Sequence, residues 1–158
     1  MYARLKLSEQ LMLIRRDFDT IDDMIRAAGE AAVRLGYAEE GFAEDVIERE
    51  KEYPTGLCAV MPIAIPHVST HCRDSFMALV TLQKPLLFEP MDGRGDKLPV
   101  EIVFVFGLVD HRDQVKVLQQ LAKMFKDREA LQRLKEAATD AEGLALVEAY
   151  LGDLAQTI

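Results

Sequence analysis

Three histidines are the residues of this sequence whose type could do chemistry near neutral pH: His67, His71 and His111. A neutral imidazole can attack an electrophile, exchange a proton or bind a metal ion. His67 closes the apolar stretch Pro62-Ile63-Ala64-Ile65-Pro66-His67. Because Pro66 has no backbone N–H and a fixed φ, it cannot continue an interior strand. The stretch therefore predicts that His67 lies at a strand end facing a crevice, and a core or surface histidine beside a proline is the alternative.

His111 also follows a predicted strand. The run 100–108 is apolar on both faces apart from Glu101, which is typical of a central strand covered on both sides. Asp110 is placed as the N-cap of the next helix, so His111 falls in the first turn, where N–H groups and partial positive charge favour an anion. Two of the three histidines thus fall at the carboxyl ends of predicted strands, where an open α/β sheet places its site. We predict an anion-handling site there, and simple exposure of His111 is the alternative.

Arg49 is a candidate ligand for such an anion. It lies one helical repeat beyond Phe42 on a helix predicted over residues 39–51, which places its guanidinium at or near the packed face. One interpretation is a surface ion pair with Asp45 or Glu52, which would contribute little to stability. The other is a fork of N–H donors directed at an anion near the end of the helix.

The spacing of His67 and His71 also permits a metal site. His-x-x-x-His on a helix would place both rings on one face, and Cys72 and His111 could complete a zinc site. Against this, no glutamate stands in the usual position between the two histidines, and Val68-Ser69-Thr70 is a poor helix. We expect His71 to be a loop residue that packs or hydrogen-bonds beside His67, with metal binding as the alternative.

Alternating patterns of helix and strand must position these side chains. Apolar residues at helical spacing follow Thr20, which is placed to cap a helix that Gly36 ends. Runs rich in branched and aromatic residues, separated by proline, glycine or charged turns, predict the strands. The predicted strands cover 11–14, 57–60, 63–65, 76–82 and 100–108, and the predicted helices cover 21–35, 39–51, 111–125, 127–137 and 139–154.

Bulk composition bounds the class of protein. The 158 residues suit one domain, 1–158, that buries a core without disulfides or a structural metal. A formal net charge of −8 argues against a nucleic-acid groove and suits either a basic-surfaced protein partner or simple solubility. Cys58 and Cys72 lack the spacing of a zinc site or a redox pair, which favours a reducing cytoplasm. The first residues lack the apolar core of a signal peptide, and no run approaches membrane-spanning length.

The ordered set of motifs resembles a known family. Arg49-Glu50, Pro54-Thr55-Gly56, Ile63-Ala64-Ile65-Pro66-His67 and Asp110-His111 together resemble the enzyme IIA component of the fructose/mannitol class of the bacterial sugar phosphotransferase system. The galactitol-like branch is the most similar, because its Pro-Thr-Gly turn and Ala-Ile-Pro-His stretch occur with a second histidine four residues on, here His71.

The resemblance implies a fold and a reaction. The fold would be α/β, a single domain with a mixed β-sheet flanked by helices on both faces. His67 would accept a phosphoryl group from a phosphohistidine carrier protein and pass it to a cysteine of a sugar-specific IIB component, with His111 and Arg49 near the phosphoryl group. No cofactor or metal is implied, no direct membrane insertion is expected, and the sugar is bound by the membrane component.

Two alternatives stay open at this point. The first is a regulatory protein on the same fold, whose phosphorylation state controls a partner instead of feeding transport. The second is a zinc-dependent hydrolase that uses His67, His71 and His111.

Overall fold

A computed structural model describes residues 4–109 and 115–157 of the chain. The strands are β1 (Leu5–Leu7), β2 (Met12–Arg16), β3 (Gly56–Cys58), β4 (Pro62–Ala64), β5 (His67–Val68), β6 (Phe76–Phe88), β7 (Leu98–Gly107) and β8 (Ala155–Thr157). The helices are α1 (Ile21–Arg34), α2 (Phe42–Glu52), α3 (Val115–Phe125), α4 (Arg128–Glu136) and α5 (Asp140–Leu151). Short 3-10 turns cover Glu9–Leu11 and Gly152–Leu154.

The strands form one eight-stranded mixed sheet in the order β3-β4-β7-β6-β1-β8, with β2 also paired to β6 and β5 to β7. The long antiparallel pair β6 and β7 forms its centre, whereas β4 and β5 both run parallel to β7. One central strand thus supports both short strands of the His67 region.

Side chains that alternate along β7 enter two separate cores. Val103 and Val105 pack with α1 and α2, whereas Phe104 and Phe106 pack with α3, α4 and α5. Full burial of an apolar side chain of this size contributes about 1.5–3 kcal/mol before conformational entropy is counted. The predicted α/β class, with a mixed sheet flanked by helices on both faces, is confirmed.

The first helix follows its sequence signals closely. The Thr20 hydroxyl accepts the backbone N–H of Asp23 at 3.0 Å and so satisfies one of the unpaired donors of the first turn. Gly36 adopts a φ of +81° just beyond the helix, a conformation that favours glycine. Both predicted ends of α1 are confirmed to within one residue.

Other predicted bounds differ for identifiable reasons. Helix α2 begins at Phe42 instead of residue 39, because Gly41 stands before it with a left-handed φ of +99°. Strand β1 was not predicted, since Leu5–Leu7 is too short to show a period. Strand β6 continues to Phe88, past a register irregularity that begins after Thr81.

None of the helices formed by residues 4–109 and 115–157 combines the length and apolar character needed to cross a membrane.

Candidate functional site

His67 lies where a proline interrupts a strand. Strand β4 pairs with β7 through Ile63 and Ala64, and β5 pairs with β7 through His67 and Val68 in the same register. Pro66 supplies no N–H to the ladder between them, but its carbonyl accepts the N–H of Phe106 at 3.0 Å, as a strand residue would. The chain therefore remains paired with β7 across Pro66. His67 lies beyond the carboxyl end of β4, as the first residue of β5, and not at the end of the paired segment as predicted.

The His67 ring is oriented by a main-chain carbonyl two residues earlier in the sequence. Its Nδ1–H donates to the carbonyl oxygen of Ile65 at 2.7 Å, and the residue is half-buried. Because a carbonyl oxygen can only accept, this contact requires the proton on Nδ1. In the neutral ring the lone pair then belongs to Nε2.

Glu50 and Thr55 connect helix α2 to the residue that orients His67. The Thr55 N–H donates to Glu50 Oε2 at 2.9 Å and the Thr55 hydroxyl donates to Glu50 Oε1 at 2.7 Å. The same hydroxyl oxygen accepts the Ile65 N–H at 3.1 Å. Burial raises the pKa of the Glu50 carboxyl, and the two hydrogen bonds from Thr55 and the nearby charge of Arg49 oppose that rise.

Sequence reasoning gave neither Glu50 nor Thr55 a role. Both appear in the motifs that carry the resemblance, but a glutamate near the end of a predicted helix is usually a solvated residue. Their burial depends on the return of the chain through β3 and β4, which is a tertiary contact. The available signal was a threonine in the turn between α2 and β3, five residues after the carboxylate.

Arg49 lies on the exposed side of α2 and forms no ion pair with Asp45 or Glu52 among the pairs that the described residues make. Its guanidinium lies over the ring of Tyr53, with Cζ 5.4 Å from the ring centroid. The predicted surface ion pair is therefore wrong. Arg49 instead lines an open cleft of about 420 Å³ whose other wall contains residues 68–70, directly after His67.

His71 is attached to α2 by a different contact. Its Nδ1–H donates to Asp45 Oδ2 at 2.6 Å, and the Thr70 hydroxyl donates to the same oxygen at 2.6 Å. These two hydrogen bonds lower the pKa of the Asp45 carboxyl. His71 has a φ of +55°, and its carbonyl accepts the N–H of Glu39 at 2.8 Å. The prediction of a hydrogen-bonded loop residue is confirmed.

A helical His-x-x-x-His arrangement is contradicted, because His67 and Val68 form a strand and residues 69–71 form a bend. Burial raises the pKa of the Cys72 thiol to about 11, which disfavours the thiolate that a metal would need. Among residues 4–109 and 115–157, no three His, Cys, Asp or Glu side chains are grouped to hold a metal ion.

The predicted N-cap Asp110 and the candidate His111 lie outside the described residues. The last described residue before them, Val109, donates its N–H to the Ser75 hydroxyl at 3.0 Å, and helix α3 is described from Val115. The end of β7 is crowded, since a Cβ on Gly107 would lie 2.8 Å from the Cys72 sulfur and would overlap the Phe76 ring.

Two relatives of the chain are named as components of phosphotransferase systems, and a third is named as an operon regulator. The mannitol-specific phosphotransferase enzyme IIA component of Halalkalibacterium halodurans is 26% identical over 149 residues, covering 94% of this chain and 95% of that protein. The ascorbate-specific PTS system EIIA component of Shigella boydii is 24% identical over 138 residues, covering 85% and 87%. The probable licABCH operon regulator of Bacillus subtilis is 31% identical over 84 residues, and the match spans 52% of this chain but only 13% of the regulator.

Solved structures share the fold. The crystal structure of IIA mannitol from Escherichia coli superposes with a TM-score of 0.72 at 23% identity, covering 90% of this chain and 99% of that one. The complex of enzyme IIAMTL with phosphorylated enzyme IIBMTL from the same organism gives a TM-score of 0.72 at 22% identity, covering 92% and 99%.

The family comparison covers nearly the whole chain. The model described as "Phosphoenolpyruvate-dependent sugar phosphotransferase system, EIIA 2" matches residues 6–150, a span that includes every strand from β2 to β7 and the residues of the candidate site. The chain therefore belongs to the EIIA 2 family of the phosphoenolpyruvate-dependent sugar phosphotransferase system, and it is a phosphotransferase that carries phosphoryl groups.

Proposed function

We propose that His67 is the residue that carries the phosphoryl group and that Nε2 is the atom phosphorylated. The observation that carries this proposal is the hydrogen bond from Nδ1 to the Ile65 carbonyl oxygen at 2.7 Å. It supports a proton on Nδ1, so that in the neutral ring the lone pair is on Nε2 and can attack phosphorus.

The transfer has two balanced steps. In the first, Nε2 of His67 attacks the phosphorus of a phosphohistidine on the carrier protein, a new N–P bond forms and the donor N–P bond breaks. In the second, a cysteine thiolate of the IIB component attacks the same phosphorus, an S–P bond forms, and the N–P bond of His67 breaks with its electron pair returning to Nε2. The known complex of enzyme IIAMTL with phosphorylated enzyme IIBMTL supports a IIB partner for this chain.

Arg49 and His111 would stabilise charge on the equatorial oxygens during transfer. For Arg49 the support is its place in the cleft shared with residues 68–70 and the packing of α2 against β5. A guanidinium presents N–H donors in a fork that matches phosphoryl oxygens. For His111 the support is chain connectivity, since its segment joins β7, which pairs with His67, to α3.

The wider role follows from the family. We place this domain, residues 1–158, in the cytoplasm, with the phosphohistidine carrier protein as donor. The relatives are named for mannitol and ascorbate, so they do not confirm the galactitol-like branch, which stays a prediction. The substrate of the proposed transport system would be a sugar or sugar derivative similar to mannitol, ascorbate or galactitol.

A regulatory role is the second candidate, and the match to the licABCH operon regulator favours it. In that role phosphorylated His67 would alter the affinity of a regulator instead of supplying IIB. Neighbouring genes for IIB and IIC components would support transport, whereas a neighbouring regulator gene without them would support control. No contact among the described residues favours the zinc-dependent hydrolase.

The central experiment is phosphorylation from phosphoenolpyruvate with enzyme I and the carrier protein. We expect acid-labile phosphate on the wild type and on His71→Ala, and none on His67→Ala. Circular dichroism would check that each variant is folded. An unlabelled wild type, or an undiminished label on folded His67→Ala, would refute the role of His67.

A further inference from the structure

Glu50 is a buried carboxylate beside the proposed phosphoryl site, and the transfer steps themselves do not use it. The residue is 9% exposed, and both oxygens of its carboxylate accept from one residue, Thr55. Burying a charge or a partly charged group is costly unless it is hydrogen-bonded. The two hydrogen bonds from Thr55 offset part of that cost at position 50.

The Thr55 hydroxyl extends this contact toward His67. A hydroxyl has one hydrogen, which Thr55 gives to Glu50, and its lone pairs accept the Ile65 N–H at 3.1 Å. Strands β3 and β4 are antiparallel with Gly56 opposite Ala64, so Thr55 and Ile65 are the next opposed pair. A side-chain oxygen thus takes the Ile65 N–H at the point where the backbone ladder ends.

Ile65 is held at both of its main-chain polar groups. Its N–H donates to Thr55, and its carbonyl accepts the Nδ1–H of His67 at 2.7 Å. These two groups lie on successive peptide planes joined at one Cα, so fixing the first plane restricts the rotation that would turn the carbonyl away. The following residue, Pro66, adds a fixed φ on the other side.

We infer that Glu50 and Thr55 are positioning residues that hold the Ile65 carbonyl in place and thereby fix the orientation and tautomer of the His67 ring. This inference rests on the proposed role of His67 in transfer. It assigns the buried carboxylate a task at the site without contact between that carboxylate and the phosphoryl group.

The chemistry of the chain explains why a carboxylate suits position 50. Thr55 offers two hydrogens to it, and a carboxylate accepts both. A glutamine amide accepts with its oxygen but donates with its nitrogen, so one Thr55 donor would face an N–H group. If the hydroxyl rotates to avoid this conflict, its oxygen accepts from the amide and competes with the Ile65 N–H for its lone pairs.

The test measures the His67 ring directly. Protein with ring-15N histidine would be compared by NMR as wild type, Thr55→Val, Thr55→Ser and Glu50→Gln, with His67 signals assigned from their loss in His67→Gln. For the wild type we expect the neutral form of the ring to carry its hydrogen on Nδ1. In Thr55→Val and Glu50→Gln we expect the two ring nitrogen shifts to move toward each other as the tautomers mix, and Thr55→Ser to restore the wild-type pattern.

Transfer from the carrier protein would be measured on the same samples. We expect Thr55→Val and Glu50→Gln to slow it by about 10-fold to 100-fold, because a small misplacement of a nucleophile has effects of that order. Thr81→Val is the matched control, since Thr81 is also 3% exposed and its hydroxyl accepts a backbone N–H, that of Arg15, at 2.8 Å. That variant should leave the tautomer and the transfer rate of His67 unchanged.

The outcomes separate this inference from the role of His67 itself. Wild-type shifts and rates in folded Thr55→Val and Glu50→Gln, or equal changes in Thr81→Val, would overturn the positioning role. If Thr55→Val does not fold, Glu50→Gln decides, because it keeps the size of the side chain. An undiminished phosphate label on His67→Ala would overturn the role of His67 while leaving the ring shifts interpretable.

Discussion

His67 and His71 lie four residues apart and both donate through Nδ1, but to acceptors of different charge. His67 donates to the main-chain carbonyl of Ile65 at 2.7 Å, and His71 donates to the carboxylate of Asp45 at 2.6 Å. A carbonyl orients a ring without placing a full charge beside it, whereas a carboxylate forms an ion pair with the ring whenever the ring is protonated. The first contact suits a neutral nucleophile, and the second suits a contact that attaches a loop to a helix.

Helix α2 carries two carboxylates, one linked to each histidine, and their pKa values are shifted in opposite directions. Asp45 and Glu50 are five residues apart, so they project about 140° apart around the helix. Hydrogen bonds from Thr70 and His71 lower the pKa of Asp45 at the surface, whereas burial raises the pKa of Glu50 inside. One helix can thus anchor a loop by charge on one side and support a strand end by hydrogen bonding on another.

The largest expected difference is between His67→Gln and His71→Gln in phosphoryl transfer. Loss of the proposed nucleophile should reduce the rate by roughly 10³-fold or more. Loss of the contact between His71 and Asp45 should leave the rate within about threefold, because a partly exposed pair contributes little. Rapid-quench measurement of label transfer from the carrier protein checks both. Equal loss in the two variants would remove the distinction drawn between the histidines.

A smaller effect is expected from Arg49→Ala, which removes the guanidinium from the cleft beside residues 68–70. We expect transfer to slow by about 10-fold to 100-fold with little change in stability, since loss of a donor to developing charge has effects of this order or larger. Arg34→Ala, on the last turn of α1, is the control for loss of a surface charge. If both variants transfer at the same rate, Arg49 has no role in the reaction.

For Asp45→Asn the expected effect is on stability and depends on pH. The pKa of Asp45 is lowered from its ordinary value of 3.8, so its contribution is fully present above that pH and is lost as the pH falls through the folded-state pKa. Near pH 5 the free energy of unfolding of the wild type should exceed that of the variant by about 1 kcal/mol, after allowance for the solvent exposure of Asp45. Urea unfolding at several pH values measures this, and a difference that persists below the folded-state pKa would contradict the cause.

The smallest effect is the opposite slope expected for Glu50. Its pKa is raised from the ordinary value of 4.5, so the stabilising contribution is complete below that pH and is lost as the pH rises through the folded-state pKa. The free energy of unfolding of the wild type minus that of Glu50→Gln should therefore fall with rising pH. The free energy of unfolding of the wild type minus that of Asp45→Asn should instead rise. Parallel slopes for the two variants would mean that the two carboxylates share one environment.

Much of the fold could be predicted because its signals are local. The β7 run is apolar on both faces, Thr20 caps α1, and Pro66 marks the break before His67, and each of these is confirmed. By contrast, the three residues of β1 carry no readable period. The start of α2 depends on the left-handed φ of Gly41, which a glycine permits but does not require.

The sequence pointed to His67, whose role as nucleophile remains a proposal, but not to the residues that support its ring. His67 is conspicuous because a proline and an apolar run precede it, whereas the link from Glu50 through Thr55 exists only once β3 folds back beside β4. The partner of His71 is likewise set by the packing of α2 on the following loop. Arg49 was predicted at or near the packed face of its helix, but it is exposed. Its stacking on Tyr53 was not predicted either.

The interrupted ladder at Pro66 also affects how the protein would open. The Phe106 amide donates to the Pro66 carbonyl at 3.0 Å, and the same register continues through Val68. The residues around His67 therefore cannot separate from β7 without breaking hydrogen bonds of the central strand. Hydrogen exchange at Phe106 and Leu108 should accordingly report the fluctuations of the site, and it should be slow because β7 is buried. In a phosphoryl carrier of this kind the backbone around the proposed acceptor residue would change little between successive partners. Conformational changes on binding each partner would occur in the surrounding loops.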